Sequence, residues 1–80
     1  MHELGVLCQV VKTVDRAAKQ NRIKAVKHIT LEVGEESGYV PHFLTKLFPA
    51  ALDLCPDLGS PELKLEMVPG RRLQIKDFGY

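Results

Sequence analysis

The sequence predicts a small two-layer α/β domain in which two helices cover one face of a mixed three-stranded sheet. Two segments carry apolar residues at spacings of three and four, which is typical of amphipathic helices. Three other segments alternate apolar and polar residues, which is typical of strands with one buried face. The segments follow one another in the order α-β-α-β-β, and a chain of 80 residues is long enough for one domain only. We therefore interpret residues 1–80 as a single domain.

The first predicted helix spans residues 3–21, and one apolar stripe faces the core: Leu4, Leu7, Val11, Val14 and Ala18. Pro41 suits the first turn of the second predicted helix, because no hydrogen bond needs an N–H there. The stripe of this helix consists of Leu44, Leu47, Phe48, Ala51, Leu52 and Cys55. Pro49 lies inside the stripe and removes one hydrogen bond of the helix. We expect either a kink at Pro49 or two shorter helices.

The predicted strands cover residues 26–33, 63–68 and 72–76. The first two are joined through a helix, so we expect them to be parallel, with a right-handed crossover. Pro69-Gly70 fits the centre of a type II turn, which predicts that the third strand pairs with the second as a loose hairpin. The predicted outer face of the sheet is solvated and carries His28, Thr30, Glu32, Lys64 and Glu66. The predicted core consists of Leu7, Val11, Val14, Ile29, Leu31, Val33, Leu47, Phe48, Leu65 and Leu73.

The composition argues against several classes of function. The net charge of +1 gives no general field that favours nucleic acid or an anionic membrane. The longest apolar run is a few residues, whereas about 20 are needed to span a bilayer. The residues after Met1 do not resemble a signal peptide. Cys8 and Cys55 are too few for a disulfide framework, so we interpret them as buried apolar residues in a reducing cytoplasm.

No catalytic constellation is recognisable among the acidic, histidine and cysteine residues, so we predict that the protein is not an enzyme. His28, the Glu35-Glu36 pair and the Arg71-Arg72 pair are interpreted as solvated surface residues. His42 is interpreted in the same way, with the alternative that it supplies a ligand to a metal site at the chain start.

Three nitrogen atoms follow one another at the start of the chain: the Met1 amine, the His2 amide and the His2 imidazole. Together they can close a five-membered and a six-membered chelate ring around one metal ion. The amide binds only when deprotonated, which nickel(II) and copper(II) can drive and hard cations such as calcium cannot. Glu3 can supply or assist a fourth position through its amide nitrogen or its carboxylate. A surface histidine without a metal-binding role can also stand at position 2, so the residues alone leave both interpretations open.

Three segments in collinear order resemble the HypA/HybF family of nickel metallochaperones. The first is Met1-His2-Glu3-Leu4, which leads directly into a helix. The second is residues 31–41, LEVGEESGYVP, which resembles the strand-turn-helix signature of that family. The third is residues 63–69, LKLEMVP, which resembles the strand that follows. The likeness extends over nearly the whole chain.

The resemblance implies a cytoplasmic maturation factor that delivers nickel to [NiFe]-hydrogenase or, in some bacteria, to urease, together with a GTPase partner. It implies that the nickel ligands come from Met1, His2 and Glu3, with His2 the central one. In some members a carboxylate at the position of Val40 takes part in binding, which a valine cannot do. The resemblance implies neither a nucleic-acid partner nor a membrane, and a homodimer stays open.

The sequence departs from the family at its end. Members continue into a zinc domain opened by Cys-x-x-Cys-Gly, and the corresponding residues here read Ile75-Lys76-Asp77-Phe78-Gly79. Isoleucine and phenylalanine cannot replace the thiolates that a zinc site needs. We therefore expect a nickel-binding domain with no zinc domain and no bound zinc. The alternative function is a degenerate HypA-like protein-interaction domain that carries no metal.

Overall fold

The computed structural model describes residues 2–80 and contains the predicted elements in the predicted order. These elements are helix α1 (Glu3–Gln20), strand β1 (His28–Gly34), helix α2 (Pro41–Leu52), a 3-10 turn (Pro56–Leu58), strand β2 (Glu62–Val68) and strand β3 (Leu73–Gly79). The prediction of two helices and a mixed three-stranded sheet is confirmed. No helix within residues 2–80 has both the length and the apolar character needed to cross a bilayer.

The strands lie in the order β2-β1-β3, with β1 parallel to β2 and antiparallel to β3. The predicted parallel pairing of the first two strands is confirmed, and the predicted hairpin between the second and third strands is wrong. The connection from β2 to β3 passes over the end of β1, where the Gly34 amide donates to the Arg72 carbonyl at 2.7 Å. The amides of Glu35 and Glu36 donate to Val68 and Gly70, each at 2.8 Å. These bonds hold β1 between its two neighbours.

The central position of β1 decides which residues form the core. Seven of the predicted core residues are buried: Leu7, Val11, Val14, Ile29, Leu31, Val33 and Phe48. Leu47, Leu65 and Leu73 are only partly buried against them, and two of these three lie on edge strands. Thr30 was expected on the solvated face, but it is only 6% exposed. Thr30 lies on the central strand, paired with Lys64 of β2 on one side and Asp77 of β3 on the other.

Helix α2 is one helix across Pro49, so the expected division into two shorter helices is wrong. The missing N–H of Pro49 removes only one bond of the helix. Phe48 and Ala51, which lie on either side of Pro49, are both buried. Their burial holds the last turn of the helix in place, because packing of an apolar face contributes more to helix stability than local propensity does.

Candidate metal centre at the chain start

His2 lies at the N-cap position of α1 and is exposed. Its backbone carbonyl accepts a hydrogen bond from the Val6 amide at 3.1 Å, which places the residue in the first turn of the helix. Its imidazole makes no capping hydrogen bond to that helix. The side chain is therefore accessible to a metal ion. Met1, which carries the predicted amine ligand, lies outside the described residues.

Glu3 is buried, with 3% of its surface exposed. Its Oε2 accepts a hydrogen bond from the backbone amide of Val40 at 3.0 Å. Hydrogen bonding to the chain's amino terminus, and next to the Val40 amide, lowers the pKa of Glu3 to about 2. The carboxylate is therefore ionised at neutral pH, and Glu3 links the start of α1 to the start of α2.

The rim around this link is apolar. Val40 is the N-cap of α2, and its side chain is 40% exposed. Leu4 and Phe43 are also exposed, by 43% and 45%, so the prediction that Leu4 faces the core is wrong. None of these three side chains carries a donor atom for a metal ion. The backbone amide of Val40 donates to Glu3, and the absence of a ligand from the Val40 side chain stays an expectation.

The other histidines lie in different surroundings. The His28 Nε2 atom lies 3.5 Å from Asp77 Oδ1, near the start of β1, whereas α2 follows the other end of that strand. A strand of this length spans about 20 Å, so His28 is far from the chain start. His42 is exposed in the first turn of α2, and its ring packs at a tilt against Phe43 with the centroids 5.9 Å apart. Residues 2–80 hold no cluster of three His, Cys, Asp or Glu residues placed to bind a metal.

The remaining sequence candidates occupy the positions expected of surface or core residues. Glu35, Glu36, Arg71 and Arg72 are exposed. Cys55 is buried, which raises the pKa of its thiol, while Cys8 is half-buried, and neither forms a disulfide. Ile75 and Phe78 lie in β3, at the positions that correspond by resemblance to zinc-binding cysteines of the family. Both side chains are partly buried against the core.

Sequence reasoning proposed residues 2 and 3 as ligands but missed the contact that the Glu3 carboxylate makes. The two partners are separated by 37 residues, and no spacing rule connects them. A buried acid so close to a chain start would not be predicted from its neighbours, because acidic side chains are almost never buried unless they are paired.

A family model described as hydrogenase/urease nickel incorporation, metallochaperone, HypA matches residues 1–73. A hydrogenase maturation factor HypA from Streptomyces avermitilis is 39% identical over 74 residues, which cover 89% of this chain and 54% of that protein. A second, from Methanosarcina barkeri, is 34% identical over 71 residues, which cover 86% of this chain and 51% of that protein. The chain thus spans about half the length of these curated relatives.

The fold also has a solved counterpart. The solution structure of the nickel metallochaperone HypA from Helicobacter pylori superposes with a TM-score of 0.76 at 14% sequence identity. The superposition covers 96% of this chain and 72% of that one. At this level of identity the likeness demonstrates the fold alone, and nearly the whole chain takes part in it.

Proposed function

We propose, from the premise that this chain belongs to the HypA family of hydrogenase/urease nickel-incorporation metallochaperones, that it binds nickel(II) at its N-terminus and hands the metal on. The nickel is cargo, and no catalytic step is part of this function. The proposed ligands are the Met1 amine, the His2 amide and imidazole, and a fourth donor from Glu3. The observation that carries the proposal is the exposed imidazole of His2 at the N-cap of α1 in a chain of this family.

The N-terminus of a helix suits this kind of chelate. The first N–H groups of a helix have no acceptor within the helix, so deprotonating the His2 amide breaks no bond of α1. The positive end of the helix dipole also stabilises the negative charge that the deprotonated amide carries. Nickel(II) accepts the resulting planar set of nitrogen donors, whereas magnesium and calcium prefer oxygen ligands.

The test of this function is a nickel titration by calorimetry on the untagged protein. We expect the wild type to bind one nickel ion, His2→Ala to bind none, and a protein with one residue added before Met1 to bind much more weakly. The extension moves the amine away from His2 and so opens the first chelate ring. Binding should also weaken as the pH is lowered, because protons compete with the metal for the same nitrogen atoms.

His28→Ala is the matched control, since it removes a histidine that lies at the far end of β1 and should leave the titration unchanged. Undiminished binding by His2→Ala would place the site elsewhere in the chain. Absence of binding by the wild type at about millimolar nickel would contradict the proposal as a whole.

The second part of the proposal is that the domain folds without zinc. Ile75 and Phe78 pack against the core, so they take part in the fold as apolar groups. We expect elemental analysis of the purified protein to find no bound zinc, and a chelator to leave its melting temperature unchanged. Domains with structural zinc lose stability when the metal is removed, because metal binding supplies their folding free energy. Stoichiometric zinc, or a fall in melting temperature with chelator, would overturn this part.

The proposed partners follow from the family. They are a nickel-handling GTPase and the maturation machinery of a hydrogenase or urease, in a reducing cytoplasm. A second candidate function is a protein-interaction domain without metal, and the exposed apolar rim of Leu4, Val40 and Phe43 favours it. The titration separates the two, because an interaction domain without metal gives no heat of nickel binding.

A further inference from the structure

We propose that the end of the molecule opposite the chain start is a docking surface for an acidic segment of a partner protein. This surface, called the basic end, consists of the exposed residues Arg16, Arg22, Lys24, Lys27 and Tyr80. It lies where α1 ends and where the connection to β1 runs. A helix of 18 residues is about 27 Å long, so a partner bound there leaves the chain start accessible.

Charge is distributed unevenly along the chain. Residues 12–27 hold six of the eleven lysines and arginines and one of the ten acidic residues, which gives this segment a net charge of +5. The remaining five cations and nine acids give the rest of the chain a net charge of −4. The small net charge of the whole chain conceals this asymmetry. A surface of one sign attracts a segment of the opposite sign over about 10 Å at 0.1 M salt.

The four cations of the basic end form no ion pair within residues 2–80. Lys19, which lies among them in the sequence, is held by Asp15 at 3.1 Å and by Asp57 at 3.3 Å. The Glu62 amide donates to the Lys27 carbonyl at 2.9 Å, but the two side chains form no ion pair. The free cations can therefore bind an acidic partner without first giving up an ion pair within the domain.

Backbone hydrogen bonds fix the connection that carries these cations. The Val26 amide donates to the Leu58 carbonyl at 3.2 Å, and the Lys27 amide donates to the Gly79 carbonyl at 2.7 Å. The second bond also places Tyr80, which follows Gly79 and is 77% exposed, beside the basic end. A surface that is ordered before binding loses less conformational freedom when a partner docks.

Arg22 has a backbone conformation that the fold alone does not explain. Its φ of 58° is left-handed, and it is the only residue other than glycine within 2–80 with a positive φ. It follows the last turn of α1, where its amide donates to Lys19 and the Ile23 amide donates to Ala18. Glycine is favoured at this position, because a Cβ atom is strained in the left-handed region. The Arg22 side chain makes no hydrogen bond or ion pair within residues 2–80 that offsets this strain.

The surroundings favour a protein over a nucleic acid or a membrane. Arginine and tyrosine are enriched among the residues that dominate the binding energy of protein interfaces. A nucleic acid or an anionic bilayer extends well beyond four cations, and the negative charge of the rest of the chain would repel it. Residues 12–27 also expose no large apolar side chain that could enter a bilayer. A short run of carboxylates matches the size of the basic end.

The test is a fluorescence anisotropy titration of a labelled octaglutamate peptide with the metal-free protein. We expect binding at about 20 mM salt, and binding at least about tenfold weaker at about 0.3 M salt, because salt screens exposed charges. A labelled thymidine octanucleotide and vesicles that contain phosphatidylserine represent the other two classes of partner. Each should bind at least about tenfold more weakly than the peptide.

Arg22→Gly separates a role in binding from a role in the fold. We expect it to weaken peptide binding by about threefold, as the loss of one exposed ion pair does, and to raise the melting temperature by about 2–4 °C, because glycine relieves the strain. Adding Lys24→Ala and Lys27→Ala should bring the loss of affinity to about tenfold or more. Arg71→Gly is the matched control, since it removes an exposed arginine from the β2–β3 connection and should leave peptide binding within about twofold.

Four outcomes would overturn the proposal. They are no binding of the peptide by the wild type at low salt, equal losses in Arg22→Gly and Arg71→Gly, a lower melting temperature of Arg22→Gly, and tighter binding of the oligonucleotide or the vesicles than of the peptide. The second would show that the peptide responds to net charge alone, and the third that Arg22 serves the fold. Because none of these measurements involves nickel, each leaves the proposed function standing, and failure to bind nickel leaves the basic end standing.

Discussion

Replacing Leu31 with aspartate is expected to unfold the protein. Leu31 lies in the middle of the central strand with none of its surface exposed, and Leu65 and Ile75 are its partners on the two sides. The substitution places a carboxylate in an apolar core without a partner and removes the packing of a large side chain. Each effect costs several kcal/mol, and the whole stability of a small domain is only about 5–15 kcal/mol. Circular dichroism and thermal melting of the purified variant measure this effect.

Leu54→Asp is the control for this experiment. Leu54 follows α2 and is 52% exposed, so the same change of side chain places its charge in water. Its melting temperature should stay within a few degrees of the wild type. If Leu31→Asp also remained folded with an unchanged melting temperature, the core assignment around β1 would be incorrect.

Replacing Gly34 with alanine is expected to cause the second large loss of stability. A Cβ atom at this position would lie 2.8 Å from the carbonyl oxygen of Arg72 and closer still to that of Gly70. Both atoms belong to the backbone of the β2–β3 connection, which cannot move aside without losing the hydrogen bonds that hold it over β1. We expect a loss of about 3 kcal/mol in the free energy of unfolding, at the upper end for overpacking. Thermal melting should show a fall of at least about 12 °C.

Gly5→Ala is the matched control, since it adds the same methyl group to another glycine. Gly5 lies in α1, and nothing comes within 4 Å of a Cβ placed there. Alanine in a helix is favoured over glycine by about 0.5–1 kcal/mol, so this variant should melt at a slightly higher temperature than the wild type. A melting temperature of Gly34→Ala as high as that of Gly5→Ala would contradict the close approach of the connection to β1.

The candidate metal centre was predictable from the sequence only in part. His2 and Glu3 could be proposed as ligands because a chelate built on successive residues is a local feature of the chain. The burial of Glu3 could not, because it depends on the amide of Val40, which the fold brings to the start of α1. The His2 side chain is exposed, whereas the Glu3 side chain is held by the backbone of another helix. Only the tertiary structure shows this difference.

The sequence by itself determined the elements and their apolar faces. The spacing of Leu7, Val11 and Val14 is that of one helix face, and the alternation of Ile29, Leu31 and Val33 is that of one strand face, so both follow from local geometry. The tertiary structure decided which strands pair. Pro69-Gly70 encodes a reversal of the chain but not the neighbour that the next strand joins. The order β2-β1-β3 and the bond from Glu3 to Val40 depend on contacts between residues far apart in the chain, whose free energy is gained only when the helices and strands pack together.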